Sequence, residues 1–257
     1  MKKPVSLPLA PPCSYGSGTA FRRIRLTGTP GLVLAELEDH AHGMRCRLRH
    51  DGAHVVDVEA EFIRYPLSTC LGADLPLRAL VGEALGRTAR DFFAGGRARV
   101  NCTHMFDLAW LASRHALRGA RVRDYLMAVP DAPEGRTDVT LSRDGAEILR
   151  WRIEDDVITD PAPFAGRHLY RGFVSWALSA PELDDDLTES VLVLHKACFV
   201  SGARRFALAS GPLEEAEKRA TVGVCHGYAA ATIDEAVRPK GTRRDFSDHP
   251  ERLLRYL

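Results

Sequence analysis

Cys102 and His104 flank a single threonine where an apolar helical stripe begins at Met105 and Phe106. At a helix N-terminus, unpaired backbone N–H groups and the helix dipole stabilise an anion, either a thiolate or a substrate carboxylate. His104 would there exchange a proton near neutral pH. The plainer role is packing: Cys102 as a small buried hydrophobe and His104 as a capping or packing group. Upstream, His40 and His42 stand two apart, which puts them on one face of an extended segment. With Cys70, Cys102 or His104 they could complete a tetrahedral metal site, or they could face solvent at a strand entrance. No dense ligand motif such as HExxH is present, and the expectation is no metal and no other cofactor.

Two further groups could carry proton chemistry. Glu59 and Glu61, with Tyr65, supply a base and a phenolic acid if their strand face is covered, and a solvated face if it is not. In the second half, His168, Tyr170, Trp176, His195, Lys196 and Arg204 mix rings with proton-active groups. That mixture suits an aromatic carboxylic acid: its ring packs on Trp176, Arg204 holds the carboxylate, and Tyr170 or His195 moves protons. Trp176 could equally be core, and His195-Lys196 could offset the dipole at a helix C-terminus. Cys70 joins the expected substrate contacts.

Positioning these residues requires a core, and 257 residues at 45% hydrophobic provide one. Lys and Arg total 35 against 34 Asp and Glu, so no global field draws the chain to nucleic acid or a membrane surface. Six scattered cysteines without a CxxC pair read as reduced cytoplasmic thiols. No apolar run reaches a membrane span, and prolines interrupt the start, so no signal peptide is expected and residues 1–18 read as a flexible N-terminal arm. P-loop, GxGxxG, GxSxG and kinase signatures are missing, which removes the nucleotide, flavin and serine-hydrolase readings.

The pattern of elements is α+β, with antiparallel strands followed by helices and then by further strands and helices. Strands are expected at Phe21–Leu26, Leu32–Asp39, His42–Arg49 and Val55–Ile63, the last with Val56, Val58, Ala60 and Phe62 inward. A helix capped by Asp74 is expected to Leu85, a helical turn at Asp91–Ala94, and a longer helix over Thr103–Leu117 that Gly119 stops. Strands return at Tyr125–Val129, Thr137–Leu141 and Glu147–Ile153, followed by helices at Phe173–Leu178, Leu187–Val200 and Leu213–Ala220. No Gly/Ser-rich or proline-rich linker divides the chain, so residues 19–257 read as one domain.

The stretch from Asp39 to about Ala112 resembles DUF2889, a bacterial family of unknown function. The resemblance rests on His40-Ala-His42-Gly-Met, Val58-Glu-Ala-Glu61, Tyr65-Pro66 with Cys70, Leu80-Val-Gly82 and Cys102-Thr-His104. More distantly, a cysteine after the last strand and another opening a later helix look like the NifU/IscU iron–sulfur scaffold family, matching Cys70 and Cys102. That resemblance implies the fold. The chain departs from the family in having no third cysteine between the two and Asn101 where a ligand histidine would sit.

These readings converge on a small-molecule enzyme without a cofactor. It would use acid–base chemistry, as a decarboxylase or other lyase, on an aromatic or phenolic acid in the catabolism of aromatic compounds. The alternatives are a metal- or iron–sulfur-binding scaffold and a non-catalytic ligand-binding module. The expected partner is a small aromatic carboxylic acid, with no nucleic acid or membrane; a homodimer is left open. Cys102 and His104 are expected to line the main cavity within reach of Cys70.

Overall fold

The computed structural model describes residues 11, 12 and 14–256. Its elements run β1 (Thr19–Thr29), β2 (Leu32–Asp39), β3 (Gly43–His50), β4 (Val55–Arg64), α1 (Asp74–Leu77), α2 (Ala89–Phe92), α3 (Arg97–Val100), α4 (Thr103–Ala116), β5 (Val122–Pro130), β6 (Arg136–Arg143), β7 (Ala146–Glu154), β8 (Val157–Asp160), α5 (Phe173–Ala177), α6 (Asp185–Ser201), β9 (Gly211–Pro212), α7 (Glu215–Thr221) and β10 (Val237–Arg238). This is an α+β fold with antiparallel strands. Among the described residues, no helix is long and apolar enough to cross a membrane.

The chain divides into two compact units. The larger holds 23–124, 209–244 and 254–256; the smaller holds the described residues up to Arg22, then 125–208 and 245–253. In the larger unit the strands lie in the order β4-β3-β2-β1, with β2–β3 and β3–β4 antiparallel. Helix α4 packs on β2 and β3. Alternation makes this possible: Val33, Ala35 and Leu37 of β2 and Met44, Cys46 and Leu48 of β3 are all fully buried. Met105, Leu108, Ala109 and Ala112 supply the apolar stripe of α4. On the other face, Arg45 and Arg47 meet Glu36 and Glu61 as cross-strand ion pairs. Gly28 must be glycine, because a Cβ there would lie 2.5 Å from the carbonyl oxygen of Gly119.

Two local expectations for this unit require correction. Val56 is exposed, and Val55 takes the inward place instead. The register shifts where His50 pairs with Val55 and Arg49 with Asp57, so Val56 is the extra residue of a bulge. The helix expected over Asp74–Leu85 also ends early: α1 runs into a 3₁₀ turn at Arg78–Leu80, Ala73 is its N-cap, and Val81 is extended and exposed. The following residues bond to the strand entrance, Gly82 N to Val55 O at 2.8 Å and Leu85 N to Ala53 O at 2.8 Å. Backbone pairing there outweighs helical spacing.

In the smaller unit the strands follow the order β5-β6-β7-β8, all antiparallel. Asp144 and Gly145 turn β6 into β7 with positive φ, as the Asp-Gly pair requires. Tyr125, Met127, Val139, Leu141 and Trp151 are buried in this sheet, and α6 packs on β6. The N-cap of α6 is Asp184, whose carboxylate accepts from Leu187 N at 2.7 Å. Most of the expected N-terminal arm lies outside the described residues. Its last part is held: Gly16 N and Gly18 N donate to the Asp131 carboxylate at 3.2 and 3.1 Å.

Because each unit draws on chain from both sides of Gly119, limited proteolysis there should not release two separately folded contiguous fragments; two such stable fragments would contradict this. In the larger unit the buried Arg64 guanidinium meets Glu38 Oε1 at 3.0 Å and the Thr242 carbonyl at 2.9 Å. Arg64→Met strands the buried Glu38 carboxylate and should cost about 3–5 kcal/mol, read as a lowered urea midpoint.

Candidate functional site

Three residues, 40–42, connect β2 to β3, and the Asp39 side chain holds this turn. Asp39 N donates to His42 O at 2.9 Å, and the Asp39 carboxylate folds back to accept from Ala41 N and His42 N, both at 2.8 Å. The same carboxylate meets His42 Nδ1 at 3.0 and 3.2 Å. An ionised carboxylate only accepts, so Nδ1 carries the proton and Nε2 is the nitrogen left for exchange. Asp39, His40 and His42 are all buried, so this pairing operates away from bulk water. Arg64 braces the turn from β4, donating to the carbonyls of Asp39 at 2.6 Å and His42 at 3.1 Å.

Helix α4 brings the next histidine. Cys102 is its N-cap and His104 lies in its first turn, as expected from the sequence. The half-buried His104 ring sits against that of His42, with centroids 4.0 Å apart and planes tilted by 37°. A buried carboxylate, an oriented imidazole and a second imidazole thus come together in one unit. Such a group can pass a proton to or from a small molecule.

Cys70 is buried in a cluster with Leu67, Leu213, Ile233 and Ala236, against which Tyr65 packs. Burial pushes its thiol pKa up, and the neighbouring Cys102 and Cys225 thiols push it further. Cys70 and Cys102 therefore lie within electrostatic reach, as expected, and Cys225 joins them from a loop far along the chain. A thiol kept protonated in this way is a poor nucleophile. Cys46, Cys70 and Cys198 are free thiols. Among the described residues, no group of three or more His, Cys, Asp or Glu could hold a metal ion, so the alternative set His40, His42, Cys70 and Cys102 is not assembled as a ligand cage.

Glu61 is engaged on the sheet surface, 3.5 Å from Arg45 and 3.4 Å from Arg47. Tyr65 lines a cavity of about 250 Å³ together with Arg64 and the 239–244 segment. The larger cavity, about 480 Å³, belongs to the smaller unit, and neither cavity is lined by Cys102 or His104.

Of the second-half residues, Tyr170 lines that larger cavity with Tyr15, Asp156 and Arg205. Burial, then Asp156, pushes its phenol up to about 12, so it stays protonated at neutral pH. Arg204, Trp176 and His195 are engaged within the smaller unit. Arg204 grips Asp131 through two bonds of 2.8 and 3.0 Å and so has its own carboxylate. Arg205, one residue on, is the cavity cation that sequence reasoning missed. Trp176 packs edge-on to Phe164 and Phe173, with the Arg167 guanidinium 4.5 Å from its ring centroid. His195 stacks on Phe173 at 4.6 Å and donates from Nε2 to the Leu169 carbonyl at 2.7 Å.

Sequence reasoning also missed Asp39, although its signal was present: a carboxylate three residues before a histidine at a strand end. Cys225 left no local signal at all.

A model of the family described as a protein of unknown function, DUF2889, matches residues 30–118. That span includes Asp39, His42, Cys70, Cys102 and His104 and excludes Tyr170, Trp176, His195 and Arg204. No curated protein matches the chain.

His195 generates a pH prediction. Burial lowers its pKa from 6.5 to about 4, against the raising effect of the bond to Leu169. Between those values the unfolded chain binds more protons than the folded one, so stability rises with pH. Its contribution is complete above pH 6.5 and is lost as the pH falls toward 4, to at most about 3 kcal/mol. Urea midpoints from pH 7 to pH 4 should fall more steeply for the wild type than for His195→Gln. Equal slopes would show that His195 is not buried neutral.

Proposed function

We propose that the chain is a small-molecule enzyme whose acid–base centre is the Asp39–His42–His104 group. The single observation that carries this reading is the buried Asp39 carboxylate, which fixes the His42 tautomer and leaves Nε2 for proton exchange beside a second imidazole. Two imidazoles can act as donor and acceptor near neutral pH without help from a cofactor.

The substrate class that fits is a small aromatic or phenolic carboxylic acid, and the reaction is a lyase step such as decarboxylation. There the bond between the carboxyl carbon and the ring or vinyl carbon that carries it breaks, carbon dioxide leaves, and the electron pair remaining on that carbon takes a proton. Delivering that proton is the task of His42 or His104, and a phenol on the ring would have its own proton held by the other. Asp39 serves as a positioning residue, since it acts through His42.

A panel of hydroxybenzoic and hydroxycinnamic acids, assayed for carbon dioxide release and product by mass spectrometry, tests the reading. His104→Ala and His42→Gln should each lower turnover by about 10²–10⁴-fold. His104 is half-buried beside the core residues Met105 and Phe106, so its loss should cost about 1 kcal/mol or less in stability. Asp39→Asn should shift the pH–rate profile and lower kcat more than it changes KM. Wild-type turnover in the histidine variants, or no turnover of any acid by the wild type, overturns the proposal.

A further inference from the structure

The cavity of about 250 Å³ in the larger unit has a one-sided charge. Arg64, Lys240 and Arg244 line it against a single carboxylate, Glu38. That carboxylate is already occupied: Oε1 accepts from Arg64 at 3.0 Å, and Oε2 accepts from Leu254 N at 2.6 Å and Tyr256 N at 3.4 Å. Lys240 and Arg244 meet no carboxylate among the described residues. This sets them apart from Arg238 two residues earlier, whose guanidinium is buried against Glu217 and the Ala209 carbonyl. The 239–244 segment is also held in place. Arg64 donates to the Thr242 carbonyl at 2.9 Å, and Arg244 N donates to the His40 carbonyl at 2.9 Å. The backbone that carries these two cations is thus held beside the turn that carries Asp39 and His42. Tyr65 and Tyr256 add aromatic surface to the same lining.

We infer that this cavity is the binding site for the carboxylate of a small aromatic acid. Lys240 and Arg244 hold the anion, Arg244 by a planar fork that matches carboxylate geometry, and the tyrosine rings accept the flat body of the ligand. The inference rests on the acid–base reading for the identity of its ligand and adds to it the anchoring residues. Its test is therefore binding, which does not require turnover.

Isothermal titration with 4-hydroxybenzoate, benzoate, cyclohexanecarboxylate and inorganic phosphate reads it directly. The two aromatic acids should bind saturably, and binding should weaken as salt is raised. Lys240→Met and Arg244→Met should each weaken 4-hydroxybenzoate about tenfold or more, with melting temperatures unchanged because both side chains are exposed. His42→Gln and His104→Ala should still bind it saturably, since Lys240 and Arg244 are intact. Retained binding with no turnover in any protein would leave this site standing and remove the acid–base reading. Wild-type affinity in both cation variants overturns the site. Phosphate or cyclohexanecarboxylate binding as tightly as the aromatic acids overturns the ligand class.

Discussion

The Arg64 guanidinium shares its donors among acceptors from three stretches of the larger unit: Glu38 and Asp39 at the end of β2, His42 just before β3, and Thr242. A buried cation without a counter-charge would be very costly, so Glu38 has to be there, and a buried carboxylate has the converse need. Glu38 then uses its second oxygen on the backbone of residues 254 and 256. One ion pair thus fixes the exit of β2, the entry to β3 and two remote segments. The Asp39–His42 turn gets its rigidity from this arrangement. Lys240 and Arg244 get their positions from it too, since they flank the Thr242 carbonyl that Arg64 holds.

What fixes His104 is packing. Helix α4 has its rotation set by Met105, Phe106, Leu108, Ala109 and Ala112, which are buried almost completely. Given that phase, the second residue of the helix has only one direction available, and it meets the His42 ring. Gly119 ends the same helix region, and its carbonyl leaves no room for a side chain at residue 28. The site is therefore assembled from one polar constraint and one apolar constraint that share no residue. A change in the α4 core would move His104 while leaving the Asp39–His42 pair as it is.

The sequence was most legible where one periodicity governed a whole element. Strand β3, with Met44, Cys46 and Leu48 inward, and helix α4 follow their patterns closely, because a single core face decides every position. It was least legible where backbone pairing competed with side-chain spacing. The bulge at Val56 and the broken helix after Leu80 both arise at the contact of residues 53–55 with 82–85, which no local pattern announces. For the candidate site, His42, His104, Cys70 and Tyr65 stood out by residue type. Asp39 did not, and Lys240 and Arg244 stood out only as part of a short basic stretch, because an acid at a strand end and cations in a loop usually read as solvated. Their roles depend on a guanidinium whose partners include a residue 178 positions away.

The two buried histidines His42 and His195 show why residue type alone could not assign function. Both are nearly inaccessible, and both have one ring nitrogen bound at hydrogen-bond distance. The partner of His195 is a carbonyl, which cannot balance a charge, and its ring lies flat on Phe173, so the neutral form is the one the fold keeps. The partner of His42 is the Asp39 carboxylate, which fixes the ring through Nδ1 at 3.0 and 3.2 Å. His195 therefore belongs with the core of the smaller unit, whereas His42 holds a carboxylate on one ring nitrogen, the feature on which the proposed acid–base role rests.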